Sequence, residues 1–159
     1  MSRPSINGFP KTEGTRSPAE GACPDVLSAD SVDVLVVDDL PTNQKVLRHV
    51  VEKCPPVRVR TCGSGVEAIR LCRERKFELV LIDLHMPDMT GFEAGAAILA
   101  EREGPFPLVV AQTADETPRA CGRTVEIGFD GHLVKPIRPE SIRAILDSIR
   151  RGGLRTSRA

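Results

Sequence analysis

Residues 79–91 read LVLIDLHMPDMTG. The four apolar residues Leu79, Val80, Leu81 and Ile82 leave no polar position for a wet face, and the run is too short for a buried helix. Such a run predicts a strand buried on both sides, as in a parallel sheet covered by helices. It ends abruptly in Asp83. Residues 87–91 predict a loop, and residues 92–102 a helix whose Gly95, Ala96 and Ala97 allow close packing on the sheet.

The same unit recurs on either side. Residues 32–37 (VDVLVV) predict a first strand, closed by Asp38 and Asp39. A helix follows at residues 42–53, with Val46, Leu47, Val50 and Val51 at helical spacing, and Pro55 and Pro56 stop it. Residues 57–61 predict a second strand. Its Val57 and Val59 alternate with Arg58 and Arg60, as expected near a sheet edge. After a turn at residues 63–65, a helix at residues 66–75 carries Ala68, Ile69, Leu71 and Cys72. Residues 108–111 (LVVA) predict a fourth strand ending at Gln112 and Thr113. A weaker helix, interrupted by Gly122, spans residues 118–127. Leu133 and Val134 close a short fifth strand before Lys135, and residues 139–150 form a last helix with Ile142, Ile145, Leu146 and Ile149. Strict alternation of strands and helices predicts an α/β fold with a doubly wound parallel sheet. Right-handed crossovers favour the flavodoxin-like (βα)5 arrangement, order 2-1-3-4-5.

Residues 1–30 are rich in Ser, Pro, Gly and Thr without apolar period, and predict a disordered arm, with order from Ser31. The end, RRGGLRTSRA, carries Arg150, Arg151, Arg155 and Arg158 without an acid; residues 152–159 are expected to be a flexible basic tail. The 159 residues suit one domain, here residues 31–151. Lys plus Arg and Asp plus Glu balance at 22 each, so no net field favours nucleic acid or an anionic membrane. The chain lacks Trp and Tyr, which leaves little for base stacking. Five cysteines without a CxxC pair argue against a disulfide framework or zinc ribbon and fit a reducing, cytoplasmic setting. No signal peptide is evident, and no run of about 18 apolar residues marks a membrane span.

In an open parallel sheet, ligands bind beyond the carboxyl ends of the strands, at the point where strand order reverses. Strands 1 and 3 flank that point. Asp38, Asp39 and Asp83 end those strands, Thr113 ends strand 4, and Lys135 follows strand 5. Three converging carboxylates repel, and two cations would relieve them: Lys135 and a divalent ion. An all-oxygen site with few direct carboxylates suits Mg²⁺. A carboxylate nucleophile, a metal and fixed positive charge are also the parts needed for phosphoryl transfer to give an acyl phosphate. Taken singly, each residue has a plainer role. Asp38 and Asp39 could cap the next helix, Asp83 could begin a turn with Met86 and Pro87, and Lys135 could be a surface lysine.

The segments VLVVDD (34–39), LVLIDLHMPDMTG (79–91), QTA (112–114) and HLVKP (132–136) together resemble a response-regulator receiver domain. PTNQKVL (41–47) and the Met-Pro after Asp83 are most similar to receivers of hybrid histidine kinases and phosphorelays. The resemblance implies that Asp83 is the phosphoacceptor. It implies that Asp39 is a direct Mg²⁺ ligand, that Asp38 holds the ion through water, and that the His85 carbonyl is a third protein ligand. Lys135 then pairs with Asp83 and with the phosphoryl oxygens. Thr113 is the hydroxyl that moves toward phosphate, Ala114 leaves room for it, and the Lys135–Pro136 bond is cis. The first helix, with Asn43, Gln44, Leu47, Arg48 and Val51, resembles the face that docks a histidine donor. The implied partners are a histidine kinase or phosphotransfer protein and a downstream protein target. The implied output is a protein contact or onward transfer rather than DNA binding or enzymatic turnover, unless the chain is part of a longer hybrid kinase.

Two positions depart from the family pattern. His132 stands where Tyr or Phe usually accompanies the moving threonine. An imidazole can take that part, but a solvent-facing histidine is the plainer reading. His85 lies two residues after Asp83, where its side chain can approach an acyl phosphate; His49 reads as a surface residue. Two other readings compete. One is a receiver-shaped scaffold that is never phosphorylated, although no acid or lysine is lost here. The other is a haloacid-dehalogenase-like phosphatase, which would carry its nucleophile on the first strand. A dinucleotide module is disfavoured, because no Gly-rich loop follows strand 1.

Overall fold

A computed structural model describes residues 31–114 and 116–151. The arm and tail expected at the termini lie outside the described residues. Five strands, β1 (Val32–Val37), β2 (Val57–Cys62), β3 (Leu79–Asp83), β4 (Leu108–Thr113) and β5 (Gly131–Val134), form one sheet. Its order is β2-β1-β3-β4-β5, parallel throughout. Helices α1 (Pro41–Glu52), α2 (Gly65–Glu74), α3 (Gly91–Ala100), α4 (Pro118–Ile127) and α5 (Pro139–Arg150) alternate with the strands. The doubly wound order 2-1-3-4-5 is therefore the one observed. Among the described residues, no helix is long and apolar enough to cross a membrane.

Period-two alternation divides the strand side chains between two cores. Val34, Val36, Leu79, Leu81, Leu108 and Val110 pack with Leu47 and Val51 of α1 and with Ile142, Leu146 and Ile149 of α5. Leu35, Val37, Val80, Ile82, Val109 and Ala111 pack on the other face with Ala68, Leu71, Ala94, Ile98 and Phe129. Gly95 is needed there, because a Cβ at that position would overlap the Phe129 ring. At the β2 edge, the ladder sets Asp33 against Arg58, whose Nε and Nη2 donate to the Asp33 carboxylate at 2.7 and 2.8 Å.

Two expectations change. β3 and β4 extend through Asp83 and Thr113, which pair with Gln112 and Val134 of the neighbouring strands. Hydrogen bonding continues past the point where apolar character stops. Val46, expected on the buried stripe of α1, is 59% exposed, since it stands one residue round the helix from Leu47. Arg150 ends α5 as expected, and its Nη2 donates to the carbonyls of Cys54 and Pro56 at 3.1 and 2.9 Å. Among the described cysteines all four are free thiols.

Candidate phosphoacceptor site

β1 delivers Asp38 and Asp39 to the crevice, and the neighbouring β3 delivers Asp83. Asp38 is fully buried, Asp83 nearly so and Asp39 half-buried. One carboxylate oxygen from each lies within 4.8 Å of the others. Lys135, carried beyond β5, sets its Nζ 3.4 Å from Asp83 Oδ2 and 3.5 Å from Asp38 Oδ2. The Lys135–Pro136 bond is cis, and the Lys135 amide donates to the Thr113 carbonyl at 2.8 Å. Thr113 is buried at the end of β4. Four strand ends thus bring all five polar residues to one edge of the sheet.

The two oxygens of Asp38 differ. Oδ1 accepts from the Leu40 amide at 2.9 Å and from Asn43 Nδ2 at 3.3 Å. Asp38 thus fixes the turn into α1 without capping the helix, which has no side-chain cap hydrogen bond. Oδ2 is buried without a hydrogen-bond partner and faces Lys135 beyond ideal hydrogen-bonding distance. An orphaned buried carboxylate oxygen costs free energy unless a cation meets it. Asp83 Oδ1 accepts from the His85 amide at 3.0 Å. Burial pushes the Asp83 carboxyl above its ordinary range, and the charge of Asp38 adds to the rise. The His85 amide and Lys135 pull it back only in part. Lys135 alone therefore does not offset the burial of Asp83 and the charge beside it. The donor set is all oxygen, with one unmet oxygen aimed into it, so the residues fit a hard divalent cation.

Several residues that shape the crevice were not singled out in the sequence for that role. Gln112 Nε2 donates to the Val37 carbonyl at 3.5 Å. Gly91 permits the close approach of α3 to the end of β3, because a Cβ there would run into the Asp83 carbonyl and lie 2.7 Å from Leu84 Cα. The expected docking face on α1 is corrected at Leu47 and Val51. Leu47 and Val51 are core residues. Asn43 is engaged with Asp38, and Gln44 Nε2 donates to the carbonyls of Asp38 and Cys62 at 2.7 and 3.3 Å. Gln44 shares the stripe of Leu47 and Val51 at helical spacing, a signal already present in the sequence. Arg48 alone of the five is exposed, paired with Glu52. His132 is half-buried against Cys121 rather than solvent-facing, with 3.2 Å between Nε2 and Sγ. His49 is exposed as expected. The His85 side chain is also exposed, on a cleft lined by Phe92, Thr117, Arg119, Ala120 and Arg123.

Residues 34–147 match the model of the response regulator receiver domain. The chain belongs to that family. It is a receiver domain of two-component signalling, and phosphorylation on aspartate is the family's general function. Membership sets aside the phosphatase alternative. The receiver is 38% identical over 127 residues to the two-component response regulator ARR11 of Arabidopsis thaliana, a match covering 79% of this chain and 24% of that protein. It is 33% identical over 131 residues to the sensor histidine kinase AruS of Pseudomonas aeruginosa, covering 81% of this chain and 13% of that one. It therefore spans about a quarter or less of the length of these curated relatives. Among solved structures, the chemotaxis response regulator CheY4 of Vibrio cholerae superposes with a TM-score of 0.67 at 28% identity, covering 75% of this chain and 98% of that one. The receiver domain of sensor histidine kinase PA1611 of Pseudomonas aeruginosa gives a TM-score of 0.68 at 24% identity, covering 76% and 98%. That protein was solved with a magnesium ion coordinated in its active-site cleft.

Proposed function

We propose that Asp83 accepts a phosphoryl group from a phosphohistidine on a kinase or phosphotransfer protein. The observation that carries this reading is the setting of Asp83: buried at the end of β3, 3.4 Å from Lys135 Nζ and grouped with two further carboxylates. An Asp83 oxygen attacks phosphorus, the phosphorus–nitrogen bond breaks, and an acyl phosphate forms as imidazole departs. Lys135 stands ready to follow the negative charge from the carboxylate to the phosphoryl oxygens. Asp39, Asp38 through water, Asp83 and the His85 carbonyl would hold Mg²⁺. When bound, that ion would offset charge on the transferring group and on the acids around it.

Added charge at Asp83 draws Thr113 and Lys135 inward. Both are tied to β5, through the Thr113–Val134 pairing and the Lys135 amide, so the change reaches β5, α4 and α5. The output is a protein contact on that surface or onward transfer of phosphate in a cytoplasmic setting, with no direct contact to nucleic acid. The chemistry of the domain is confined to gaining and losing its own phosphoryl group. Donor contact falls on Leu40 and Val46, which are 53% and 59% exposed on the turn into α1 and on α1 itself, beside the crevice.

Incubation with acetyl phosphate, read by intact mass, tests the core of this reading. Wild type should gain one phosphoryl group when Mg²⁺ is present and none when it is chelated, and Asp83→Asn should gain none. Failure of wild type to label from acetyl phosphate and from a phosphohistidine donor would leave the unphosphorylated-scaffold reading in its place.

A further inference from the structure

His132 and Cys121 join two elements that little else holds together. β5 has no fully buried residue, and α4 commits only Thr124 to the interior. The thiol of Cys121, on α4, and Nε2 of His132, on β5, meet at 3.2 Å in a hydrogen-bonding contact whose donor is set by the imidazole tautomer. The Thr124 hydroxyl donates to the Cys121 carbonyl at 2.8 Å and steadies the turn of α4 that presents the sulfur. Where apolar contacts are few, one such polar contact is a large share of what fixes the arrangement.

β5 is also the strand wired to the acidic crevice. Val134 is in register with Thr113, Lys135 donates to the Thr113 carbonyl, and His132 is in register with Ala111. A pull on Thr113 or Lys135 therefore reaches His132 within two or three residues. Cys121 differs from the buried cysteines: its half-buried sulfur meets a ring nitrogen, whereas the thiols of Cys54 and Cys62 contact only backbone carbonyls.

We propose that the Cys121–His132 pair is a latch that holds β5 against α4 in the unphosphorylated arrangement, with Cys121 as the positioning residue for His132. Loss or covalent capping of the thiol releases the latch and favours the phosphorylated arrangement. This rests on the phosphoacceptor reading of Asp83. Whatever weakens the unphosphorylated state alone must tighten binding of a phosphoryl mimic.

The test is calorimetric titration of the full chain with beryllofluoride in Mg²⁺. Cys121→Ala should bind about threefold to tenfold more tightly than wild type, the size of one net hydrogen bond. Cys121→Ser keeps a hydroxyl for the imidazole and should match wild type. N-ethylmaleimide joins the sulfur to a ring carbon and leaves the thiol proton on the carbon beside it. That treatment should tighten wild type as Cys121→Ala does and leave Cys121→Ser unchanged. No uptake of beryllofluoride by wild type would overturn the phosphoacceptor reading and this inference with it. Uptake that is equal in wild type and Cys121→Ala, or a serine variant that behaves as alanine, would overturn the latch alone.

Discussion

β3 is buried at all five of its residues and β1 at five of six, whereas β5 buries none of its four and α4 buries only Thr124. The acids stand on the first pair, and the groups wired to respond stand on or beside the second. The difference teaches a division of labour. Carboxylates held a few ångströms apart need a frame that does not yield, and close packing on both faces of a central strand provides one. A response needs an element with two arrangements of similar free energy, and sparse burial keeps that gap small.

One substitution made in each region sets the two against each other most sharply. Gly91→Ala would drive a Cβ into the backbone of Asp83 and Leu84, where no flexible side chain can give way. It should cost about 3 kcal/mol in denaturant unfolding and suppress phosphorylation by acetyl phosphate. Hydrogen exchange should separate the regions next: amides of β5 and α4 should open at about 2 kcal/mol less than those of β1 and β3. Equal protection would remove the contrast altogether. Gly122→Ala in α4 places its Cβ where nothing lies within 4 Å. Relieved of glycine's backbone entropy, that helix should gain about 0.5–1 kcal/mol, opposite in sign to Gly91→Ala. Val46→Asp, on the exposed side of α1, should leave stability within about 0.5 kcal/mol. It should slow transfer from a phosphohistidine donor while leaving acetyl phosphate labelling unchanged.

The acid cluster adds a dependence on pH. Burial raises the Asp83 carboxyl, so the metal-free fold is favoured where that group keeps its proton. It loses stability as pH climbs from the ordinary carboxylate range through the raised value. Asp83→Asn removes this loss. Without Mg²⁺, the variant should therefore be more stable than wild type at neutral pH, with the advantage shrinking toward pH 4. An advantage independent of pH would point to packing rather than charge.

Much of this was legible in the chain itself. Wholly apolar runs that stop at an acid identify central parallel strands and their carboxyl ends together, because a strand buried on both faces can expose a polar side chain only where it leaves the sheet. Asp38, Asp39, Asp83, Thr113 and Lys135 were accessible by that logic, and the strand order followed from handedness. Helix faces were less legible. Val46 and Leu47 differ by one position and one methylene, and only the angle at which α1 lies on the sheet decides which is core and which meets solvent. The same angle sets Gln44 as a brace for the end of β1.

Residues whose role depends on two distant segments could not be read in advance. Gly91 matters because α3 starts against the carbonyl of Asp83, and nothing local to TGFE requires that approach. Cys121 and His132 are 11 residues apart in different elements. Their meeting depends on how α4 settles over an edge strand that offers it few apolar contacts. Periodicity and the ends of apolar runs determined the layers, the strand order and the clustered carboxylates, since each is a property of one segment and its solvent exposure. The partners of the Gln44 brace on β1, the tight turn under Asp83 and the thiol–imidazole contact were decided only by tertiary packing, since each is a distance between segments and no segment carries that distance alone.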